Sequence, residues 1–449
     1  MKIGFVSLGC PKNLVDTEVM MGQLAARGHE LTPRPEEADV IVVNTCSFID
    51  PAKQESVDTI LEMAEFKKSG RAKKLIVAGC LVERYRGDIR RDLPEVDALV
   101  GANEIEGIVE VCEDRPAPGA AGPYLYHDLT PRLLATPPHY AYLKIAEGCD
   151  HPCTFCVIPQ FRGRFRSRRF ESVVAEAARL FGQGVREINL IGQDTTCYGE
   201  DLGLKDGLAL LLERLARIET GQARWIRFLY AYPNRVTQRL LDTLAAHDAL
   251  VKYIDVPLQH SSASVLKRMR RGGSGDIFLK LVERIRRTIP GVAIRTSLIV
   301  GFPGETEADF EELRQFVAAA GFDHLGVFGY SDEDTSASFA LDGKVAARDI
   351  YNRKRRLLAL QRKISRARNR ALKGRELPVL VEGRSKDSDL VWQARLATQA
   401  PEIDGVCYVS DPGESEPRPG EFRRMRIEKT HDYDLVGALA DTPNPFRIL

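Results

Sequence analysis

The sequence has no long hydrophobic run. Its first apolar stretch, Met1-Lys2-Ile3-Gly4-Phe5-Val6-Ser7-Leu8, is too short to cross a bilayer, and no h-region with a small-residue cleavage site follows it. It therefore reads as a buried first strand, with no membrane partner and a cytoplasmic location expected. Net charge is equally scarce: 64 Lys and Arg stand against 63 Asp and Glu in 449 residues. With ordinary apolar content, this fits a soluble globular chain of about three domains. The nine cysteines are an odd number in a chain without an export signal, which disfavours a disulfide framework and leaves reduced thiols available to metal. Also missing is a second C-x2-C pair after the main cysteine cluster, so the usual four-ligand zinc site is not closed in sequence.

That cluster is Gly148-Cys149-Asp150-His151-Pro152-Cys153-Thr154-Phe155-Cys156. Three thiolates at this spacing suit one face of an iron–sulfur cluster whose fourth iron has no protein ligand; a structural zinc knuckle is the competing reading, since thiolates also suit zinc. Three further cysteines each close a short apolar run: Phe5 to Cys10, Val40 to Cys46 and Leu75 to Cys80. These runs alternate with helical patterns at about Leu14 to Arg27 and Pro51 to Lys68, which predicts buried parallel strands with crossover helices. The carboxyl ends of such strands form the ligand crevice of an open α/β sheet, so Cys10, Cys46 and Cys80 are expected to converge. The plainer alternative is that each is a small buried hydrophobe. Cys112, Cys197 and Cys407 share no ligand-like spacing and are expected to be dispensable.

The cysteine triplet, with Phe155 before its last member, resembles the signature of the radical S-adenosylmethionine (SAM) enzymes. The set of two cysteine trios resembles the methylthiotransferases, whose amino-terminal domain binds a second 4Fe-4S cluster. Ser7-Leu8-Gly9-Cys10-Pro11-Lys12-Asn13-Leu14-Val15-Asp16-Thr17-Glu18, Asn44-Thr45-Cys46-Ser47-Phe48-Ile49 and Ala52-Lys53-Gln54-Glu55-Ser56 look like the branch that modifies ribosomal protein number twelve of the small subunit. The tRNA-modifying branch typically has Gln-Met-Asn where this chain has Pro11-Lys12-Asn13. The resemblance implies that Cys149, Cys153 and Cys156 hold a 4Fe-4S cluster that cleaves SAM to methionine and a 5′-deoxyadenosyl radical. It implies that Cys10, Cys46 and Cys80 hold an auxiliary 4Fe-4S cluster that carries the methylthio group, its methyl donated by a second SAM, and that this group is added to an aspartate β-carbon. An electron donor such as flavodoxin or ferredoxin and a sulfur donor are implied as partners.

The expected architecture is α/β throughout its first two parts. Residues 1–115 form an open parallel α/β sheet domain, 116–138 a linker, 139–374 a partial (βα)6 barrel and 375–441 a five-stranded β-barrel of the TRAM type. Barrel strands are expected at Tyr140 to Ala146, Glu187 to Ile191, Trp225 to Tyr230, Tyr253 to Val256, Ala293 to Val300 and His324 to Phe328. Loops after them carry polar groups suited to SAM, and Gln193, His260 and Gly301 are expected to contact it; Gly301 and Gly304 would admit the adenosine to the backbone. No side chain is assigned a catalytic proton.

Two basic segments need a reading of their own. Arg162-Gly163-Arg164-Phe165-Arg166-Ser167-Arg168-Arg169 has the composition of a nucleic-acid patch but occurs in both branches of the family, and the run from Arg353 to Arg370 is expected to be a solvated connecting helix. Strands at Leu377 to Glu382, Val391 to Leu396, Gly405 to Val409, Glu421 to Lys429 and Leu435 to Leu439 predict the last barrel. From Arg375 to Asp441 there are 9 Lys and Arg against 14 Asp and Glu, a balance that suits a basic protein partner better than a phosphate backbone, with Asp387, Asp389 and Glu402 among its acidic residues. Two other functions stay open: a tRNA adenosine methylthiotransferase, and a non-catalytic RNA-binding iron–sulfur redox sensor.

Overall fold

A computed structural model describes residues 1–116, 122–386 and 388–440. The amino-terminal unit contains β1 (Lys2–Ser7), α1 (Pro11–Ala26), β2 (Glu30–Thr32), β3 (Val40–Thr45), α2 (Asp50–Ser69), β4 (Lys74–Gly79), α3 (Cys80–Asp92), β5 (Ala98–Gly101) and α4 (Ile108–Cys112). Its five strands are all parallel, in the order β2-β1-β3-β4-β5. The central strand β3 is buried along its whole length, which is why it reads as an unbroken apolar run. Side chains alternate across it: Val40 and Val42 meet Val15, Val19 and Leu24 of α1, whereas Ile41 and Val43 meet Ile60 and Met63 of α2.

The central unit contains β6 (Tyr140–Lys144), β7 (Ala146–Glu147), α5 (Ile158–Arg162), β8 (Arg166–Ser167), α6 (Phe170–Gly182), β9 (Glu187–Ile191), α7 (Gly207–Ala216), β10 (Trp225–Phe228), α8 (Gln238–Ala246) and β11 (Tyr253–Asp255). It continues through α9 (Ala263–Arg268), α10 (Gly275–Thr288), β12 (Ala293–Val300), α11 (Glu307–Ala320), β13 (His324–Gly329) and α12 (Ala347–Arg370). Strands β6, β9 and β10 form one parallel sheet and β11, β12 and β13 another. Backbone bonds from Ile226 N–H to the Ala249 carbonyl (2.8 Å) and from Ala231 N–H to the Asp255 carbonyl (2.9 Å) join them into a six-stranded arc. Among the described residues nothing pairs β13 with β6, so the barrel is incomplete. One expected strand is divided: after Lys144 the chain turns, and Ala146–Glu147 pairs antiparallel with Arg166–Ser167.

The last unit is a closed barrel of β14 (Glu376–Ser385), β15 (Ser388–Leu396), β16 (Cys407–Asp411), β17 (Phe422–Thr430) and β18 (Leu435–Leu439), in the order β14-β15-β16-β18-β17. It seats on the amino-terminal ends of the central strands. Arg395 pairs with Glu187 at 2.5 Å, Asp404 meets Arg295 at 2.7 Å and the Tyr253 hydroxyl at 2.8 Å, and Phe422 packs edge-on against Trp225. Glu402 accepts hydrogen bonds from the hydroxyls of Tyr140 (3.0 Å) and Tyr142 (3.3 Å), so it belongs to this joint and is not a free partner-facing charge. Asp389 is exposed; Asp387 and Asp441 lie outside the described residues.

The amino-terminal unit covers the opposite end. Lys53 and Arg84 reach Glu333, just beyond β13, at 3.0 and 3.1 Å, and Asp16 of α1 pairs with Lys144 at the end of β6. The expected linker includes residues 117–121, which are outside the described set; the remainder packs as a strap against α1. Arg132, in that strap, is buried between Glu18 (2.6 Å) and Glu176 (2.7 Å). The run from Arg353 to Arg370 is indeed one helix, α12, largely exposed, with several arginines in ion pairs: Arg353 with Glu305, Arg368 with Asp323 and Arg366 with Asp432 of the last barrel. Among the described residues no helix is long and apolar enough to cross a membrane.

Candidate active site

Both cysteine trios lie where strands run out. Cys10 caps α1, whose first residue is Pro11; Cys46 follows β3, and Cys80 opens α3. Two asparagines stitch these loops together. Asn13 Nδ2 donates to the carbonyls of Leu8 (2.7 Å) and Thr45 (3.2 Å), and Asn44 Nδ2 donates to the Asn13 carbonyl (2.9 Å) and Thr17 Oγ1 (2.8 Å). Gly9, at φ +87°, allows the close approach: a Cβ there would lie 2.7 Å from Cys46 Cβ.

The second trio occupies the loop between β7 and β8. Cys149 N–H donates to the Gly163 carbonyl at 3.1 Å, and Thr154 holds the middle of the loop, through its N–H to the Met269 carbonyl (3.1 Å) and its hydroxyl to the Arg268 carbonyl (2.9 Å). Arg271 Nη1 donates to Cys153 Sγ at 3.5 Å, and its guanidinium stands 4.5 Å from the ring of Tyr232, which stacks on His151. His151 reaches Asp194 at 2.6 Å, and the same carboxylate accepts from the Cys197 thiol (2.9 Å) and from both the N–H and hydroxyl of Thr196. His151, Asp194 and Cys197 bring donor atoms within 4.8 Å of one another, but the four hydrogen bonds take up the accepting capacity of Asp194 and give Cys197 a structural place.

The trios share a wall. Cys80 packs against Val157, which directly follows Cys156, and against Phe161. Arg162 Nη2 donates to Cys80 Sγ at 3.1 Å. Burial pushes the thiols of Cys80 and Cys156 up to about 12 and that of Cys149 up to about 11, with Cys46 also raised. As free thiols these groups hold their protons, and binding iron would displace them. Among the described residues, neither trio brings its three sulfurs within 4.8 Å of one another. Three thiolates per trio are the ligand type that a 4Fe-4S cluster takes.

Beneath the trios is a buried quartet of charges. Lys144 pairs with Asp16 and, at 2.7 Å, with Glu147; Arg162, only 3% exposed, pairs with Asp16 at 2.7 Å and Glu147 at 3.3 Å. Burial alone raises the Glu147 carboxyl, but the two cations outweigh it and hold the group ionised. The basic segment Arg162–Arg169 is largely internal: Arg162 and Arg168 are buried in ion pairs, and Arg164 remains exposed. Lys12 lies above this quartet, its Nζ 3.3 Å from the centre of the Tyr230 ring.

The three residues expected to contact SAM sit in different surroundings. Gln193 Nε2 donates to Glu147 Oε1 at 2.5 Å, and its Oε1 is buried without a partner. His260 is fully buried: its Nδ1 accepts the Ser262 N–H at 3.0 Å, and Nε2 faces Glu305 Oε2 at 4.0 Å. Gly301 and Phe302 donate their N–H groups to that same carboxylate, and a Cβ at Gly301 would collide with Ile350 of α12. The conformational freedom of Gly301 (φ +78°) thus serves helix packing, and a Cβ at Gly304 would meet the Arg268 guanidinium. His260 Nε2 is buried without a hydrogen-bond partner, and the Gly301 N–H is taken by Glu305. Sequence reasoning missed Lys12, Asp16, Glu147, Tyr230, Tyr232 and Arg271; only the motif around Lys12 carried a signal, and there its chemistry was not read.

Three family descriptions match the chain: Uncharacterized protein family UPF0004 over residues 2–101, Radical SAM superfamily over 143–317 and TRAM domain over 374–439. The ribosomal protein uS12 methylthiotransferase RimO of Solibacter usitatus (strain Ellin6076) is 75% identical over 450 residues, covering 100% of this chain and 97% of the relative. The chain belongs to this methylthiotransferase family. That of Koribacter versatilis (strain Ellin345) is 58% identical, covering 98% and 96%. The chain is therefore an enzyme that transfers a sulfur-containing group, and the reading as a non-catalytic sensor falls. Among solved structures, the radical S-adenosylmethionine methyltransferase TsrM from Kitasatospora setae aligns with a TM-score of 0.54 at 14% identity, covering 73% of this chain and 74% of that one; it shares the fold.

Proposed function

We propose that this enzyme adds a methylthio group to the β-carbon of an aspartate in ribosomal protein uS12, in the cytoplasm. The observation that carries the reading is the meeting of two thiol trios at one wall, with Cys80 against the residue that follows Cys156. On this reading Cys149, Cys153 and Cys156 hold one 4Fe-4S cluster, and Cys10, Cys46 and Cys80 hold the other. When bound, the two clusters and SAM supply the electron, the hydrogen abstraction, the sulfur and the methyl group.

The protein's own groups do the rest. The Asn13 and Asn44 bonds fix the spacing of the first trio, and Thr154 fixes the loop of the second. Arg162 and Arg271 direct N–H donors at one sulfur of each trio, which stabilises negative charge there. Val157 and Phe161 keep water from the shared wall. The unpartnered Gln193 Oε1 is the acceptor we assign to SAM. Domain limits at 115, 139 and 375 follow from this division of labour, with an electron donor such as flavodoxin or ferredoxin as partner.

The tRNA-modifying alternative makes a different product. Anaerobically reconstituted enzyme, supplied with SAM, dithionite, uS12 and unmodified tRNA together, is expected to yield uS12 carrying methylthio-aspartate, located by mass spectrometry. Methylthiolated adenosine with uS12 untouched would overturn the proposal.

A further inference from the structure

Lys12 is a buried cation without an acidic partner. Its side chain is only 9% exposed, and its Nζ rests on the face of Tyr230, 3.3 Å from the ring centre. The carboxylates around it are committed elsewhere. Asp16 and Glu147 pair with Lys144 and Arg162, while Asp255 accepts the Tyr230 N–H at 2.9 Å and faces Arg295 at 3.8 Å. Among the described residues none makes an ion pair with Lys12. The other groups that act on its charge are Tyr230 and the sulfur of Cys10; neither is a carboxylate, and a cation–π contact orients an ammonium group without using it as an ion-pair donor, so a place for a carboxylate remains.

Its position is as informative as its charge. Lys12 lies two residues after Cys10, at the start of α1, and reaches from the amino-terminal unit to the end of β10. Tyr230, which receives it, is a non-glycine residue at φ +65°. A bulky side chain in that region is strained, and such strain persists where surrounding structure imposes it, commonly at functional sites. Here the Asp255 bond holds the backbone so that the ring lies under the lysine.

We propose that Lys12 is the specificity-determining residue that receives the carboxylate of the target aspartate and so brings its β-carbon between the two trios. This inference rests on the function proposed above. The β-carbon is bonded directly to the carboxyl carbon, so a group that fixes the carboxylate also fixes the carbon to be modified. A buried carboxylate needs an opposite charge and hydrogen-bond donors, and an ammonium offers both. An asparagine in the same place would leave the ammonium unmatched.

The test uses full-length, anaerobically reconstituted enzyme with SAM, and two uS12 peptides that differ only in carrying Asp or Asn at the target position. Binding is read by fluorescence anisotropy, and iron content and the reduction potential of the auxiliary cluster are read in parallel. Wild type is expected to bind the Asp peptide at least about tenfold more tightly than the Asn peptide, the ratio typical of one charge-assisted hydrogen bond. Lys12→Met should erase that preference through weaker Asp binding while keeping the iron of both clusters, and Lys12→Arg should restore part of it. A Lys12→Met protein that keeps the preference, or loses affinity for both peptides alike, or shifts the auxiliary potential with the preference intact, overturns the inference. Should Lys12→Met fail to hold iron, Lys12→Gln provides the same comparison. Modification of the Asp peptide by wild type tests the parent reading separately: if that succeeds and the preference survives in the variants, only the role of Lys12 is lost.

Discussion

Replacing Arg162 by methionine is expected to loosen the joint between the amino-terminal unit and the central barrel. Arg162 is 3% exposed and touches Asp16 at 2.7 Å, Glu147 at 3.3 Å, Asn13 Oδ1 at 3.3 Å and Cys80 Sγ at 3.1 Å. With Lys144 it balances the two carboxylates, so its removal leaves a buried site with one excess negative charge. Breaking a buried pair from one side costs about 3–5 kcal/mol, and the lower end applies here because Lys144 still serves both acids. Removing Asp16 as well changes the balance: Arg162→Met with Asp16→Asn leaves Lys144 and Glu147 as a neutral pair. The double variant should therefore be more stable than the sum of the single losses by about 0.5–3 kcal/mol, the range found for groups in one network. Hydrogen exchange of α1 and β6 amides under anaerobic conditions reads the opening of this joint, with iron content measured beside it. Additive losses, with the double variant no better than the sum, would refute the coupling on which the reasoning rests.

Substituting Cys153 by Ala should abolish both SAM cleavage and methylthio transfer, whereas Cys46→Ala should abolish transfer and still release 5′-deoxyadenosine; equal loss of cleavage in two folded variants would contradict separate roles for the trios. Combined replacement of Cys112 and Cys407 by Ala and of Cys197 by Ser, which keeps a donor to Asp194, should retain about eight irons per chain. A loss of about four in folded protein would reveal a misassigned ligand. Burial lowers His260 to about 4 and raises Glu305 to about 7, with Arg353 and Asp309 as the charged neighbours. Alone, the lowered histidine removes stability as pH falls from 6.5 towards 4, and the raised carboxyl removes it as pH rises from 4.5 towards 7. Between those limits the folded protein keeps one proton on Glu305 and the unfolded chain keeps one on His260, so the wild-type pair is nearly silent. His260→Asn should unmask a loss of about 3 kcal/mol as pH rises from 4.5 to 7, and Glu305→Gln a loss as pH falls, both read by urea unfolding; a flat profile in either variant counts against the shifts.

The strands and the placement of the six cysteines in the loops that follow them were legible because their signals are local. An apolar run such as Val40 to Val43 is buried on both faces by helices from the same unit, and Cys46 must then emerge at the strand's carboxyl end. The surroundings of His260 and Gly301 were not legible, for the opposite reason. Both sit at strand ends, where ligand contacts are expected, but the groups packed against them, Glu305 and Ile350, come from elements later in the chain. The same limit applied to Arg162: the composition of its basic segment carried no sign of a partner, and only the fold shows that Asp16, more than a hundred residues earlier, neutralises it. Tyr230 left no trace in sequence, because a positive φ at a tyrosine is imposed by its surroundings.

The placement of the last barrel changes how substrate recognition has to be tested. It closes the amino-terminal ends of the central strands, through Glu187, Trp225, Arg295 and His324, while both trios lie at the carboxyl ends. A protein that touches this barrel and delivers a side chain to the trios must therefore span the depth of the central unit. Deleting the chain from Arg375 would not isolate recognition, because it would also strip Arg395 from the buried Glu187 and leave Arg227 without the carbonyls of Ala397 and Gln399. Uncompensated buried charge at the barrel's base would then destabilise the catalytic unit itself. Exposed acids away from the joint, such as Asp389, are the sound targets, and their neutralisation should slow association with a basic protein in a manner that added salt reproduces.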